Sequence, residues 1–174
     1  YGGITWDRLL KLDAGLQWPC PNPEHPGTGF LHKDGKFTRG KGQFLAIPYR
    51  APAELPDAEY PLILTTGRVL WHYHTGTMSR RSKTLNDRVP ENFVEISQDY
   101  ADDMKIKDGE KVKVKTRRGE IQVKAKITDR VKKGLIFVPF HFEESPANAL
   151  TIGALDPIAK IPEYKVCAAK IEKI

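Results

Sequence analysis

The sequence predicts a mainly β fold, a closed or nearly closed barrel of short strands with brief helices, preceded by an irregular N-terminal segment. Two observations favour this fold class. From residue 60 onward, short β-rich runs are separated by turn residues, and two runs alternate lysine with apolar side chains, as half-buried antiparallel strands do. Only brief stretches suit a helix, and many short strands with few helices indicate a barrel.

Six strands are predicted in this part of the chain, at about residues 60–66, 92–96, 110–117, 120–128, 134–140 and 165–172. The clearest hairpin joins the third strand to the fourth across the turn pair Arg118-Gly119. Ser97 is a suitable N-cap for a short helix over residues 98–104. Helical spacing places Tyr100, Ala101 and Met104 on the core side of that helix.

The charge pattern argues against a nucleic-acid partner. The formal net charge is +6, but the lysines of residues 111–115 and 123–127 alternate with apolar residues, as on the solvent face of a strand. Aromatic side chains, on which bases would stack, are absent from these two strands. We therefore expect a solvated face here rather than a nucleic-acid interface.

Residues 1–54 are expected to be the tail of a preceding domain followed by an irregular linker, with residues 55–174 forming the barrel domain. Thr5 is a suitable N-cap for a helix over residues 6–16. Nine proline and glycine residues lie between positions 19 and 42, so turns should dominate there. Residues 43–47 have the composition of a strand, and a proline-broken linker follows.

Composition fits one domain, or one domain with an appendage. The chain does not begin with methionine, which leads us to expect a piece of a longer polypeptide. No run of 18 apolar residues occurs, so no direct membrane insertion is expected. Cys20 and Cys167 are too few for a disulfide framework or an iron–sulfur cluster, and a cytoplasmic location is the default. We expect Cys167 to face the core from a strand, whereas a catalytic Cys20 would need a nearby base.

Residues 64–79 carry the strongest functional signal. A β-rich apolar run leads into Thr-Thr-Gly-Arg, and aromatic, imidazole and hydroxyl side chains crowd the next dozen positions. Glycine permits close backbone approach, arginine pairs with phosphate, and hydroxyl and indole groups fix orientation. The segment therefore suits a large polar ligand with phosphates and flat heterocycles. The alternative is an internally hydrogen-bonded loop between two strands.

His72 and His74 form a His-x-His pair within this segment. On a strand, residues i and i+2 share a face, so both rings would reach one metal ion. No third ligand at suitable spacing accompanies them, and we predict no metal-ligating residue. Hydrogen bonding to a ligand is favoured, with metal binding and a buried structural role as the alternatives.

Several motifs, in order along the chain, resemble the C-terminal domain of molybdopterin oxidoreductases. The first is the signature loop, defined here as residues 66–81. The others are residues 99–112, the Arg118-Gly119 turn, and residues 134–140, 148–151, 156–157 and 162–168. Together they span about residues 60–174. Residues 15–21, 25–28 and 30–32 resemble the segment before the last domain of formate dehydrogenase catalytic subunits.

The resemblance implies a six-stranded double-psi β-barrel of the aspartate-decarboxylase-like class, which binds a molybdopterin guanine dinucleotide. It implies no catalytic residue in this chain. The residues that it assigns to the cofactor are Thr66, Gly67, Arg68, Val69, Leu70, Trp71, His72, Tyr73, His74, Thr75, Phe140, Asn148, Tyr164 and Lys165. His141 is expected in the same neighbourhood.

The resemblance further implies a molybdenum- or tungsten-dependent formate dehydrogenase that oxidises formate to carbon dioxide. The metal and the iron–sulfur clusters would be carried by the full-length subunit, whose upstream domains and electron-transfer subunits are the expected partners. We do not expect this chain alone to be catalytic. The alternatives are the same domain of a related nitrate reductase, or a stand-alone basic β-barrel binding module.

Charged residues beside the predicted site are open to more than one interpretation. Arg68 suits a bidentate phosphate contact, and a surface salt bridge is its alternative. We expect Arg80 and Arg81 to be a solvated pair at the end of the loop. Glu143 and Glu144 have the side-chain type of general acid–base groups, without further support from the sequence.

Overall fold

The computed structural model describes residues 1–37 and 39–174. Thr38, within the predicted proline- and glycine-rich stretch, lies outside the described residues. The chain forms two compact units, residues 1–49 and 50–174. The two units differ in what fills their interiors.

The first unit contains one short helix, α1 (Trp6–Leu9). Thr5 caps it as predicted, because its side-chain oxygen accepts a hydrogen bond from the Arg8 N–H at 3.4 Å. The prediction of a helix over residues 6–16 is wrong in length. None of the helical residues is buried, and a helix without a packed face gains little from further turns.

Residues 43–47 form no strand in the described part of the chain, contrary to the prediction. Phe44, Leu45 and Ile47 are all exposed. A strand needs a hydrogen-bonded neighbour and a buried face to be stable, and this run has neither among the described residues. Apolar composition alone therefore misled the prediction.

Polar contacts around Arg8 hold the first unit together. Its guanidinium donates hydrogen bonds to the carbonyl oxygens of Gly3 at 2.7 Å and His25 at 2.9 Å, and it lies 3.5 Å from the Sγ of the fully buried Cys20. Gly3 packs so closely that a Cβ there would lie 2.0 Å from the Asn22 carbonyl oxygen. The Cys20 thiol thus lies against an arginine and carbonyl groups, which cannot act as the base that a catalytic role would need.

The second unit is a closed barrel of six strands, which confirms the predicted fold class. The strands are β1 (Leu62–Gly67), β2 (Phe93–Ile96), β3 (Lys111–Lys115), β4 (Glu120–Ile127), β5 (Leu135–Pro139) and β6 (Cys167–Lys173). They close in the order β1-β5-β2-β4-β3-β6. The double-psi connectivity is compatible with this order and stays a prediction.

Two parallel pairs give the barrel its connectivity. β1 runs parallel to β5, with Gly67 opposite Pro139, and β2 runs parallel to β4. The remaining neighbours are antiparallel, including the predicted β3–β4 hairpin across Arg118-Gly119. Because β1 and β5 point the same way, the segments that follow Gly67 and Pro139 leave the barrel side by side.

Apolar side chains that alternate with polar ones along β3 fill part of the barrel core, as predicted. Val112 and Val114 of β3 are completely buried, while the intervening lysines face outward. Lys113 pairs with Glu120 of the next strand at 2.8 Å. Cys167 is also fully buried, as predicted, and burial raises the pKa of its thiol to about 11. The buried apolar side chains of all six strands therefore form one continuous core.

Two helices belong to the barrel unit, α2 (Lys83–Asn86) and α3 (Gln98–Met104). The Ser97 side chain accepts a hydrogen bond from the Tyr100 N–H at 3.3 Å, which confirms the predicted N-cap. Ala101 is buried, and Tyr100 and Met104 pack against the core. No helix among the described residues combines the length and the apolar character needed to cross a bilayer.

Glu54 ties the segment before β1 to two other parts of the barrel. One carboxylate oxygen accepts from Arg117 at 2.9 Å and Arg118 at 2.8 Å, and the other accepts from the Ala168 N–H at 3.2 Å. Burial by itself would raise the pKa of Glu54, but these hydrogen bonds together hold it below its ordinary value. The hairpin turn, β6 and the entering segment are thus joined at one carboxylate.

Candidate functional site

The candidate site begins where β1 ends. Thr66 and Gly67 are the buried last residues of the strand. A Cβ at Gly67 would lie 2.7 Å from the Phe137 ring of the neighbouring strand, so only glycine lets β1 and β5 approach this closely. The signature loop therefore starts immediately beside the segment that follows β5.

His141, in that second segment, holds the signature loop at two points. Its Nε2 accepts a hydrogen bond from the Val69 N–H at 2.9 Å, and its Nδ1 bonds to the His74 carbonyl oxygen. The ring is 1% exposed. Burial lowers the pKa of His141, against the opposing effect of the bond to His74. A neutral imidazole thus spans the loop from residue 69 to residue 74.

His72 anchors the middle of the loop from inside. Its Nε2 lies 2.7 Å from the Val89 carbonyl oxygen and its Nδ1 lies 3.1 Å from the Ser79 Oγ. Because a carbonyl only accepts, Nε2 carries the proton, and Nδ1 accepts from the Ser79 hydroxyl. The same Oγ accepts from the Tyr73 N–H at 3.1 Å. His72 therefore has both ring nitrogens occupied within the chain and is 4% exposed.

The end of the loop is fixed by an ion pair. Arg80 donates to both carboxylate oxygens of Glu144 and lies over the Phe142 ring at 5.1 Å. A hydrogen bond from Arg80 lowers the pKa of Glu144. The expectation of a solvated Arg80–Arg81 pair is therefore wrong for Arg80, which is partly buried and paired, while Arg81 is exposed. The pair of Arg80 with Glu144 thus joins the end of the loop to the segment that follows β5.

The outer face of the signature loop carries side chains that are exposed to solvent. Those exposed to solvent are Arg68, Leu70, Trp71, Tyr73, His74 and Thr75. Arg68 lies 5.6 Å from the centre of the Phe140 ring, and none of the described carboxylates forms a salt bridge with it. The alternative of a surface salt bridge at Arg68 thus finds no partner in the described chain.

His72 and His74 do not share a face, because they lie in a turn rather than on a strand. His74 has a positive φ of 47° and is exposed, whereas His72 is buried. Within residues 1–37 and 39–174, no three His, Cys, Asp or Glu side chains group closely enough to hold a metal ion. The structure therefore gives no geometric support to the metal-binding alternative.

The segment before β6 lies against the start of the loop. The Thr66 hydroxyl donates to the Tyr164 carbonyl oxygen at 2.8 Å, and the Lys165 ammonium donates to the Thr66 carbonyl oxygen. Lys165 also lies 5.3 Å from the centre of the Tyr164 ring. Tyr164 and Lys165 are thus beside the loop, as Phe140 is. Asn148 is exposed in a short 3-10 turn, and no direct hydrogen bond joins it to the loop among the described residues.

A cleft of about 400 Å³ opens beside the loop. It is lined by Thr75, Gly76, Thr77, Arg80, Arg81, Asn86, Glu143 and Glu144. Two buried polar atoms of this lining, Arg80 Nε and Asn86 Oδ1, have no hydrogen-bond partner among the described residues. The sequence did not indicate the contacts of Ser79 with His72 and Tyr73, the pairing of Glu144 with Arg80, or the two-point contact of His141. The position of His141 just after the fifth predicted strand is a signal for the last of these.

Comparison with known proteins agrees with this geometry. Residues 62–168 match the family described as molydopterin dinucleotide binding domain. The chain is 55% identical over its whole length to the alpha subunit of an F420-dependent formate dehydrogenase from Methanocaldococcus jannaschii, and spans 26% of that protein. It is 40% identical over 99% of its length to a periplasmic nitrate reductase from Desulfovibrio desulfuricans, of which it spans 25%.

One solved structure supports the fold independently of close sequence similarity. Acetylene hydratase from Pelobacter acetylenicus superimposes with a TM-score of 0.60 at 21% identity, over 67% of this chain and 19% of the other. The chain thus spans about a quarter of the length of the curated relatives that it matches. With its barrel and its matched residues 62–168, this chain belongs to the molydopterin dinucleotide binding domain family.

Proposed function

We propose that this chain binds molybdopterin guanine dinucleotide as the C-terminal domain of a formate dehydrogenase catalytic subunit. The observation that carries the proposal is the signature loop, whose backbone is fixed from inside by His72 and His141 while its polar side chains face outward. A preformed loop of this kind loses little conformational entropy when a ligand binds. The cofactor residues proposed are residues 66–75, Phe140, Asn148, Tyr164 and Lys165.

The donor groups present fit this cofactor. Arg68 offers a planar guanidinium with no carboxylate partner among the described residues, which suits a pyrophosphate. Trp71 and Tyr73 offer exposed aromatic faces, and Thr75 a hydroxyl that lies 2.8 Å from that of Thr77. Orphaned polar atoms line the adjacent cleft. Positive charge, flat surfaces and hydroxyls are what a phosphate-linked pair of heterocycles requires.

The proposed site residues divide into two roles. Exposed Arg68, Trp71 and Tyr73 would contact the cofactor, while buried Thr66 and His72 set the path of the backbone. Lys165 would add positive charge beside the end of β1, where its ammonium already binds the Thr66 carbonyl. When bound, the cofactor supplies the metal and its two-electron chemistry. This chain binds and orients the cofactor and contributes no proton transfer of its own.

Formate is the proposed substrate of the whole protein, because identity is 55% and 56% to two formate dehydrogenase alpha subunits against 40% and 41% to nitrate reductases. Nitrate reduction is the weaker alternative. The metal is proposed to be molybdenum or tungsten, carried together with iron–sulfur clusters by the full-length subunit. Electron-transfer subunits are the proposed further partners.

We also propose that residues 1–54 are the tail of a preceding domain with its linker, and residues 55–174 the cofactor domain. The relatives are longer proteins of which this chain matches about a quarter, which supports upstream domains of the same polypeptide as partners. Both cysteines are buried free thiols, and we propose a cytoplasmic, reducing location. Anaerobic metabolism is the setting proposed for the parent enzyme.

The test is titration of the chain with GDP, a soluble probe that carries the guanine and pyrophosphate of the cofactor, read by residue-resolved NMR. We expect shifts to cluster in residues 66–75 and at Lys165. Arg68→Met should weaken GDP binding about tenfold, since it removes a charge-assisted hydrogen-bond donor. Arg50→Met, an exposed arginine in the segment before β1, is the matched control and should bind as the unmodified chain does.

Two outcomes would contradict the proposal. Equal weakening by both substitutions would indicate a diffuse basic surface. Stronger, salt-sensitive binding of a single-stranded oligonucleotide than of GDP would favour the stand-alone binding module instead.

A further inference from the structure

We propose that His141 is a positioning residue for the cofactor-binding loop, and that the loop adopts its binding conformation only while His141 is neutral. This inference rests on the proposed function and adds a pH-dependent element to the same site. No contact of His141 with the cofactor is required. Its action is through the backbone of the residues that make those contacts.

The hydrogen-bond pattern around His141 admits one protonation state. The Val69 N–H can only donate, so the Nε2 that faces it at 2.9 Å must be unprotonated. The His74 carbonyl can only accept, so Nδ1 carries the proton. Only the neutral Nδ1–H form satisfies both. A second proton on Nε2 would point directly at the Val69 N–H and break that bond.

The two contacts lie at either end of a short stretch of the loop. Residues 70–73 lie between them and include Trp71 and Tyr73, two of the proposed cofactor contacts. His74, at the second contact, has a positive φ of 47°, a conformation that costs free energy for a residue with a Cβ. The His141 bond to its carbonyl helps to compensate that strain. Loss of the bond should therefore release the turn.

The surroundings of His141 oppose a positive charge. The ring is 1% exposed and packs between Phe140 and Phe142, with ring centres 5.0 and 6.2 Å away. The charged or titratable groups that face it are Arg68, His72 and His74. Burial is the largest cause that lowers the pKa of His141, and these three groups lower it further, while the bond to the His74 carbonyl raises it.

His72 provides an internal contrast. Its Nε2–H already donates to the Val89 carbonyl, and its Nδ1 faces the hydroxyl of Ser79. A hydroxyl can rotate to accept instead of donate, so protonation of His72 preserves both contacts. The Val69 N–H that faces His141, in contrast, can only donate a hydrogen bond. Of the two buried histidines, His141 alone has geometry that forbids the charged form.

The direction of the pH effect follows from the lowered pKa. At pH values between the folded-state pKa and the ordinary value of about 6.5, the unfolded chain binds a proton that the folded chain does not. The contribution of His141 to stability is therefore complete above about pH 6.5. It is lost progressively as the pH falls toward and through the folded-state pKa. Loop order and cofactor affinity depend on the protonation of His141 in the folded chain, so they should decline around its lowered folded-state pKa.

The first experiment needs no ligand. Nitrogen-15 NMR of the histidine rings in the 174-residue chain should show His141 as the Nδ1–H tautomer at pH 7.5, with its titration displaced below that of an ordinary histidine. The Val69 and His74 amide resonances should move with the same midpoint. An Nε2–H tautomer, or Val69 and His74 signals that do not follow the His141 titration, would overturn the proposal.

The second experiment measures the GDP dissociation constant at pH 7.5 and at a pH below the His141 titration midpoint that the NMR experiment gives. Because a terminal phosphate itself titrates near pH 6, variants are compared at each pH. His141→Gln retains an acceptor and a donor but cannot titrate. We expect it to bind GDP within a few-fold of the unmodified chain at pH 7.5 and to lose the part of the pH dependence that His141 causes. His141→Leu should bind about tenfold more weakly at both pH values.

His32→Gln, at an exposed histidine in the first unit, is the control and should titrate GDP as the unmodified chain does. An identical pH dependence in the unmodified chain and in His141→Gln would overturn the proposal, even if His141→Leu failed to fold. If the ring and amide titrations behave as expected but GDP does not bind at any pH, the proposed function fails while the positioning role of His141 stands.

Discussion

The barrel and the first 49 residues are stabilised by different kinds of interaction. In the barrel, buried apolar side chains from all six strands meet in one continuous core. Among the described residues of the first unit, only Gly3 and Cys20 are buried, and the guanidinium of Arg8 donates hydrogen bonds to the backbone carbonyls of Gly3 and His25. The first 49 residues depend on a few polar contacts, whereas the barrel depends on many apolar ones. Single substitutions should therefore have very different effects in the two regions.

The largest effect should come from the barrel core. Leu64→Ala removes a fully buried side chain from β1, and we expect the free energy of unfolding to fall by about 2–5 kcal/mol, because the site loses apolar burial and gains a cavity. Urea denaturation, followed by far-ultraviolet circular dichroism, measures this free energy of unfolding. Leu10→Ala, at an 82% exposed position, is the matched control and should change stability by less than about 0.5 kcal/mol.

A smaller effect is expected where β1 and β5 meet. Gly67→Ala places a methyl group 2.7 Å from the Phe137 ring and should destabilise the barrel by about 1–3 kcal/mol through overpacking. The double substitution Gly67→Ala with Phe137→Leu should recover part of that loss, since the ring no longer blocks the methyl group. Additive destabilisation in a double-mutant cycle would show that the close approach is not the cause.

The smallest change in global stability should follow Arg8→Met in the first unit. The barrel core is untouched, so the free energy of unfolding measured by urea should stay the same. Hydrogen exchange at the Gly3 amide, which donates to the Cys20 carbonyl at 2.8 Å, should accelerate about tenfold as local order is lost. Lys11→Met, at an exposed neighbour, should leave that exchange rate unchanged. Equal protection in both variants would mean that Arg8 does not hold this unit.

The same contrast explains what the sequence could predict. All six strands were predicted to within a few residues. In β3 and β4 the core imposes a period of two, as at Val112 and Val114. Residues 43–47 also looked like a strand, yet no neighbour pairs with them in the described chain. Pairing is a tertiary property that local composition does not report. The helix over residues 6–16 failed for a similar reason, since α1 buries no face.

In the candidate site, the sequence did not predict which side chains of the loop are buried and which are exposed. The signature loop was found from its composition and its resemblance to a family. His72 was expected to face a ligand, and the structure instead shows both its nitrogens bonded to Ser79 and Val89. Whether a histidine points inward depends on the turn that carries it. Arg80 was misjudged likewise, because its partner Glu144 lies 64 positions away in the sequence.

The parallel register of β1 and β5 has a consequence for how the site tolerates change. Opposite placement of Gly67 and Pro139 sets His141 at the height of Val69. A slip of one residue between these strands would turn every side chain of the shifted strand to its other face and carry the imidazole out of reach. Natural variation in length should therefore accumulate in connections elsewhere on the barrel. A one-residue insertion in β5 should therefore weaken ligand binding at the proposed cofactor site even in a chain that still folds.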